Sequence, residues 1–315
     1  MINKAFGVNY LTENRSVEND KMNRHSNPEV DAIVGKKFKV LENGFVALVD
    51  YMGGDDAIVQ AARVSYGKGT KTVNDDTGLI RYLMRHRHTT PFEMVEVKFV
   101  ASMPIYVARQ WIRHRTANVN EYSARYSEVP DRFDIPELER IQPQSKSNKQ
   151  GREGVLPEDV SNAFRNSVDR ISKDSYSEYQ NALGKGIARE TARILLPLNT
   201  YTEWYWKIDL HNLFHFLSLR LDPHAQYEIR QYAEVMGDIT KKIAPIAYKA
   251  FEDYRLGGVS FSSLEQKALA NILRGKSPEE AAQTAGLKLF KEDGTRMKSG
   301  EGMEFLDKVK KINEL

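Results

Sequence analysis

The 315-residue chain contains no cysteine. Disulfides, thiolate metal sites and thiol nucleophiles all require that sulfur, so structure and chemistry must both run without it. Long hydrophobic runs are missing too: no stretch of about eighteen apolar residues could span a bilayer as a helix. Met1-Ile2-Asn3-Lys4 is not followed by an apolar signal-peptide core. Membrane insertion and secretion are therefore not expected, and a cytoplasmic protein is the default. Charge of one sign is scarce: 46 Lys plus Arg against 43 Asp plus Glu leave a net +3, too little to coat a polyanion. Any basic site has to be local. At 41% hydrophobic content the chain can bury a substantial core as one large domain with appendages.

Residues 1–35 are polar, rich in Asn, Glu, Arg and Ser, and lack a hydrophobic period, which predicts a flexible arm. Structure is expected from near Lys36. Phe38 to Val40 and Phe45 to Val49 flank Glu42-Asn43-Gly44, the composition of a tight hairpin. A helix is predicted from about Asp55 to Val64, and a second from Asn74 or Asp75, with Leu79, Ile80, Leu83 and Met84 as its buried stripe. Val95, Val97 and Phe99 alternate with Glu96 and Lys98 as in a strand with one wet face, and Pro104 opens a helix through Trp111 and Ile112.

The polar run Gln142 to Gly151 has nothing to bury, so the segment 130–157 reads as a mobile loop, a lid or an insertion. Helical patterns follow around Phe164, Val168 and Ile171, from Ile187 to Leu196, and from Leu210 to Leu219. Asp222-Pro223 suits the cap and first turn of a long helix carrying Ile229, Met236, Ile239, Ile243 and Ile246. The second half is thus expected to be helical. Beyond Phe261, Ser262-Ser263-Leu264-Glu265 and Ser277-Pro278-Glu279-Glu280 are capping boxes for two short helices joined at Gly275, making 261–315 an appended helical module. It is readable either as a DNA-binding helix-turn-helix or as a packing or partner-binding appendage.

Chemistry concentrates between Arg109 and Arg125. Arg109, Gln110, Arg113, His114, Arg115, Asn118, Asn120, Glu121, Ser123 and Arg125 fall within seventeen residues, bracketed by Trp111, Ile112 and Tyr122. A solvated basic face is the common reading of such a run. Here, however, guanidiniums mix with a carboxylate and amides, and arginine forks bind phosphate through paired charge-assisted hydrogen bonds. A nucleotide cradle is the sharper expectation.

The stretch Arg113-His114-Arg115-Thr116-Ala117-Asn118-Val119-Asn120-Glu121-Tyr122-Ser123-Ala124-Arg125 resembles the RHRxxSxNxxSxR signature of the flavin-dependent thymidylate synthases, with Asn118 as the one departure. His86-Arg87-His88-Thr89-Thr90-Pro91-Phe92-Glu93 resembles the family's HGHxTPFEH segment, although Arg87 replaces Gly and Met94 the last His. Ala192 to Pro197 and Leu219 to Gln226 resemble its two C-terminal blocks. The resemblance covers about Gly44 to Gly257, which makes 36–260 the family domain.

The resemblance implies an α+β fold in which a small antiparallel sheet packs with a bundle of long helices. It also implies a homotetramer whose active sites lie between subunits. The implied reaction converts dUMP to dTMP with FAD as hydride carrier, 5,10-methylenetetrahydrofolate as carbon donor and NADPH as reductant. By position, Gln110, Arg113, Glu121, Ser123, Arg125, Arg193 and Arg220 would contact dUMP. Ser65, Thr90, Arg113, His114, Arg115, Glu121, Asp209, His211 and His215 would lie along FAD, with His88 near flavin and folate. Asp209, His211 and His215 stand where other members carry Asn, Arg and Asn, changes that alter charge as well as shape.

Ordinary thymidylate synthases activate uracil by thiolate addition, which a cysteine-free chain cannot perform. The family's alternative is to make the uracil itself nucleophilic, with Arg220 near N3 favouring the ionised ring. Ser123 is the natural candidate nucleophile, yet the segment offers no general base at a triad-like position, so dipole and positioning work is its expected role. Bland readings stand beside these. His215, between Phe214 and Phe216, also reads as a satisfied core residue, and Arg189, Glu190 and Arg193 as a surface ion-pair set. A metal site would need His86, His88, His114 and His224 to converge at unsuitable spacing, and none is expected. The rival from another class is a nucleic-acid-binding protein using the Arg/His-rich segments and the C-terminal helices.

Overall fold

The computed structural model describes residues 25–64, 76–145 and 151–315. Five strands, β1 (Phe38–Val40), β2 (Gly44–Met52), β3 (Glu96–Pro104), β4 (Asn118–Glu121) and β5 (Tyr201–Asp209), form one antiparallel sheet ordered β1-β2-β3-β5-β4. Before the sheet's third strand come α1 (Pro28–Asp31), α2 (Asp55–Val64), α3 (Asp76–Arg85) and α4 (Thr90–Glu93). The middle of the chain adds α5 (Ile105–Trp111), α6 (Glu158–Gly184) and α7 (Arg189–Ala192). The remaining helices are α8 (Leu210–Arg220), α9 (Tyr227–Ile243), α10 (Pro245–Phe251), α11 (Ser263–Leu273), α12 (Pro278–Thr284) and α13 (Glu301–Asn313). The α+β class with a small antiparallel sheet and many helices is therefore as expected.

The sheet turns one face inward by simple alternation. Val97, Phe99, Ala101 and Met103 of β3, and Trp204, Trp206 and Ile208 of β5, are buried. Trp111, fully buried, closes this layer with ring centroids 5.4 Å from Trp204, 5.3 Å from Trp206, 5.3 Å from Phe216 and 5.9 Å from Tyr232. Truncating such a residue to alanine costs about 3–5 kcal/mol, and its loss would release the end of α5 from which the signature segment departs. The β1–β2 hairpin needs Gly44, where any Cβ would collide with the Tyr232 hydroxyl and the Val40 carbonyl. That hydroxyl instead donates to the Ser102 carbonyl at 2.9 Å, tying α9 to β3.

Several expectations are corrected. Of the expected arm, residues 1–24 lie outside the described residues, whereas the part from residue 25 is ordered: Asn27 caps α1, Val30 is buried in the main core, and the Tyr51 hydroxyl donates to Asp31 at 2.7 Å. The second half is not all helix, because β5 lies inside the sheet between β3 and β4; its Tyr/Trp/Ile composition with period two is a strand signal. The helix expected over Ile187 to Leu196 contracts to α7 followed by a 3-10 turn, Arg193–Leu195. Asp222-Pro223 does not open α9. The Asp222 carboxylate accepts from the His224 amide in a separate turn, and Gln226 is the N-cap.

The described part of 130–157 is anchored rather than structureless, with a 3-10 turn at Leu138–Arg140 and a bridge from Gln144 to Arg152. Arg140 is buried there against Asp134 and Glu228. The module after Phe261 contains a third helix, α13, and its own core of Ala268, Ala282, Leu287, Leu289, Phe305 and Val309. The capping box of Ser262 and Glu265 is formed, and Gly275 takes φ +94 in the turn between α11 and α12. The N-terminal turn of α12, which a helix-turn-helix would present to DNA, carries Glu279 and Glu280. Glu279 pairs with Arg296 at 2.7 Å and Glu280 with Lys276 at 3.2 Å.

Candidate active site

Burial of Trp111 fixes the end of α5, and the His114 amide donates back to the Trp111 carbonyl at 3.0 Å, so Arg113-His114-Arg115 turns off the helix into a bend. Opposite stands the last turn of α8, held by buried Leu213, Phe216 and Leu217, with Arg220 as its final residue. Arg220 Nε donates to His114 Nε2 at 3.1 Å. An accepting Nε2 places the imidazole proton on Nδ1 and requires a neutral ring. Burial, then the nearby Arg220 and His215, lowers His114 to about 4, which keeps it neutral. Arg220 is itself lowered, first by burial and then by Arg113. A cavity of about 300 Å³ lies here, lined by Arg113, His114, Arg115, Thr116, Ile208, Asn212, His215, Leu219 and Arg220.

His215 also borders a second cavity of about 300 Å³. Its polar lining is Arg87, His88, Thr89, His211, His215, Ser218 and Arg255, above a floor of Leu83, Met84, Phe92, Phe214 and Phe251. His88, His211 and His215 thus face one space although 123 positions separate His88 from His211 (211 − 88).

From the bend, β4 carries the chain away along β5, with Asn118 opposite Lys207 and Glu121 opposite Trp204. Those three residue steps span about 10 Å. At the far end the Glu121 carboxylate accepts from Thr202 Oγ1 at 2.7 Å, and Ser123 Oγ accepts from the Arg125 amide at 3.3 Å. Arg125 grips Glu190 through two nitrogens at 3.1 and 3.0 Å, and Arg193 Nε donates to the Glu190 carbonyl at 3.3 Å. The residues expected to hold a nucleotide therefore form two groups at opposite ends of β4. Arg113, His114, Arg115 and Arg220 make one; Glu121, Ser123, Arg125 and Arg193 make the other.

Four further expectations resolve individually. The Gln110 side chain meets that of Gln226. Thr90 is the exposed first residue of α4. The Asp209 carboxylate is engaged in capping α8, accepting from Asn212 N at 2.9 Å and Asn212 Nδ2 at 2.7 Å. Ser65 lies outside the described residues. Asn212, Ser218, Leu219 and Arg255 line the two cavities without having been singled out in the sequence. Asn212 and Ser218 carried a usable signal, since they recur on α8 three residues from Asp209 and His215.

Guanidiniums, imidazoles and an amide bordering two adjoining cavities, one of them floored by Phe92, Phe214 and Phe251, suit an anionic, flat, aromatic cofactor beside an anionic substrate. The profile of the family described as "Thymidylate synthase complementing protein" matches residues 47–246. A flavin-dependent thymidylate synthase from Ehrlichia ruminantium (strain Gardel) is 53% identical over 262 residues, covering 83% of this chain and 88% of that protein. The Wolbachia pipientis wMel protein of the same name is 52% identical over 280 residues, 89% of this chain and 95% of that one. Among solved structures, a UMP/dUMP methylase, PolB from Streptomyces cacaoi bound with 5-Br dUMP, superposes with a TM-score of 0.62 at 36% identity, over 70% of this chain and 99% of its own. With the signature residues arrayed along β4 and a match over most of its length, this chain belongs to the flavin-dependent thymidylate synthase family.

Proposed function

We propose that the protein converts dUMP to dTMP by reductive methylation, with FAD as cofactor, 5,10-methylenetetrahydrofolate as carbon donor and NADPH as reductant. The observation that carries this reading is the cation pair of exposed Arg113 and half-buried Arg220, facing one cavity with no carboxylate partner among the described residues. Flavin, when bound, supplies the hydride, which no side chain can. The chain's own contribution is electrostatic. His114, held neutral, fixes the direction of Arg220 through the 3.1 Å bond, and the guanidinium then favours negative charge on a uracil ring set against it. His88 and Arg113 orient folate and flavin.

At the far end of β4, Arg125 and Arg193 supply the phosphate grip, for which Glu190 now holds the anion's place on Arg125. Ser123 positions the nucleotide: its described partner is a backbone amide rather than a base, which supports positioning over nucleophilic attack. By the family resemblance the protein is a homotetramer with sites between subunits, so that the two groups bordering one dUMP come from different copies of the chain. Exposed Val160, Phe164 and Ile171 along one stripe of α6, with Leu195 and Leu198 nearby in sequence, supply apolar surface for such contacts.

The deciding assay is NADPH oxidation by flavin-loaded protein with dUMP present or omitted, and methylene-folate present or omitted. Oxidation should depend on dUMP, and dTMP should form only with the folate. Folate-independent oxidation with no dTMP under any condition would overturn the reading.

A further inference from the structure

Two backbone irregularities converge on the cavity that contains His88 and His211. Helix α3 ends in a Schellman turn, with Arg87 N donating to the Met84 carbonyl at 3.4 Å and His88 N to the Leu83 carbonyl at 3.0 Å. The residue in the middle of such a turn is left-handed and usually glycine; here it is Arg87, at φ +58. Across the cavity, α10 runs into a π-helical turn, Glu252–Leu256, closed by Gly257 N on the Glu252 carbonyl at 2.8 Å. The wider turn changes the direction of the side chains it carries.

Each irregularity brings one arginine, Arg87 or Arg255, to the same lining. Acids stand close by, yet they are engaged elsewhere. Asp253 pairs with Arg81 at 2.7 Å and Lys249 at 3.0 Å, and Glu252 with Lys241 at 3.3 Å and Lys249 at 3.5 Å. Among the described residues neither Arg87 nor Arg255 has a carboxylate partner. Burial, then Arg87 itself, holds Arg255 below its ordinary range, as expected of like charges left facing each other. A strained conformation retained by a long cationic side chain, where glycine would sit without strain, points to use of that charge.

We propose that Arg87 and Arg255 form an anion subsite that grips the charged tail of a flat aromatic ligand seated on Phe92, Phe214 and Phe251. The shared chemistry is a multiply charged oxyanion attached to a ring system. It is carried by the pyrophosphate of a flavin dinucleotide or by the carboxylates of a folate tail. The assignment rests on the flavoenzyme reading for the ring system, whereas the anion grip itself needs only the two guanidiniums.

The test uses the full chain stripped of flavin, with Arg87→Gly and Arg255→Gln. FAD, FMN and riboflavin are titrated by fluorescence quenching, and inorganic pyrophosphate by its effect on melting temperature. Each substitution should weaken FAD about tenfold or more and flatten its salt dependence, while riboflavin binding is unchanged. Arg87→Gly should also melt no lower than the wild type, because glycine relieves the turn. If FAD is unaffected but the preference for polyglutamyl over monoglutamyl methylene-folate disappears in KM, the anion is the folate tail and the subsite stands. If the wild type binds no flavin yet pyrophosphate still stabilises it through Arg87, the flavoenzyme reading fails and the subsite stands. Unchanged binding of FAD, polyglutamyl folate and pyrophosphate in both variants overturns it.

Discussion

Arg140 is buried and Arg220 half-buried, and they are handled in opposite ways. Arg140 is 7% exposed and meets Asp134 at 2.6 and 2.9 Å, Glu228 at 3.0 Å, Glu137 at 3.0 Å and the Tyr106 hydroxyl at 3.1 Å. Burial acts to lower its affinity for the proton, but Asp134 and Glu228 reverse this and hold it above the ordinary range. Arg220 has a neutral imidazole as its bonded partner and another cation, Arg113, as its neighbour, and burial lowers it without reversal. The first guanidinium is saturated by carboxylates and fastens the 130s segment to α5 and α9. The second is left short of negative charge, which is the state in which an incoming anion gains most.

The contrast predicts a stability effect at one arginine and a rate effect at the other. Arg140→Met should destabilise the fold by about 3–5 kcal/mol, because Asp134 and Glu228 would remain buried with their main counter-ion gone. Urea unfolding measures this; a loss below about 1 kcal/mol would show the cluster to be hydrated and the two arginines to be alike.

Arg220→Ala should lower kcat for dTMP formation by roughly 10²–10³, the usual effect of removing a fixed donor from developing charge. Bound flavin and unfolding free energy should be nearly unchanged, since the residue contributes an uncompensated cation to the folded state. Turnover close to that of the wild type would remove the activation role and leave Arg220 as a second structural arginine.

These roles differ in how readable they were from the sequence. Arg113, His114 and Arg125 stood out because polar groups of several kinds crowded an apolar helix end, and the hairpin at Gly44 and the caps at Ser262 and Ser277 were legible from local chemistry alone. Arg140 was not. Its significance depends on Glu228, 88 positions away, and nothing local distinguishes it from an exposed loop cation. β5 is hard to read from sequence because its aromatic alternation lies among helical patterns, and a strand in the interior of a sheet is defined by neighbours distant in sequence. The Asp209 carboxylate caps α8, a local function that sequence position alone does not separate from a place along the flavin.

The smallest effect concerns His114, the link between Arg220 and the fold. Its ordinary value of 6.5 is lowered to about 4 by burial and then by Arg220 and His215. In the unfolded chain the ring takes its proton near 6.5, while in the folded protein it stays neutral until about 4. Below 6.5 the unfolded state therefore binds more protons, and this residue's contribution makes stability decline as pH falls from about 6.5 to about 4, with no further change outside that window. The ring is partly open to solvent, which limits the size of the slope. Unfolding midpoints across the window, compared with those of His114→Gln, isolate it, since glutamine can still accept from Arg220 Nε but does not titrate. The variant should show the shallower decline and keep an oriented Arg220. Equal slopes would mean that His114 is charged in the fold, and a charged imidazole cannot accept the bond that sets Arg220 apart from Arg140.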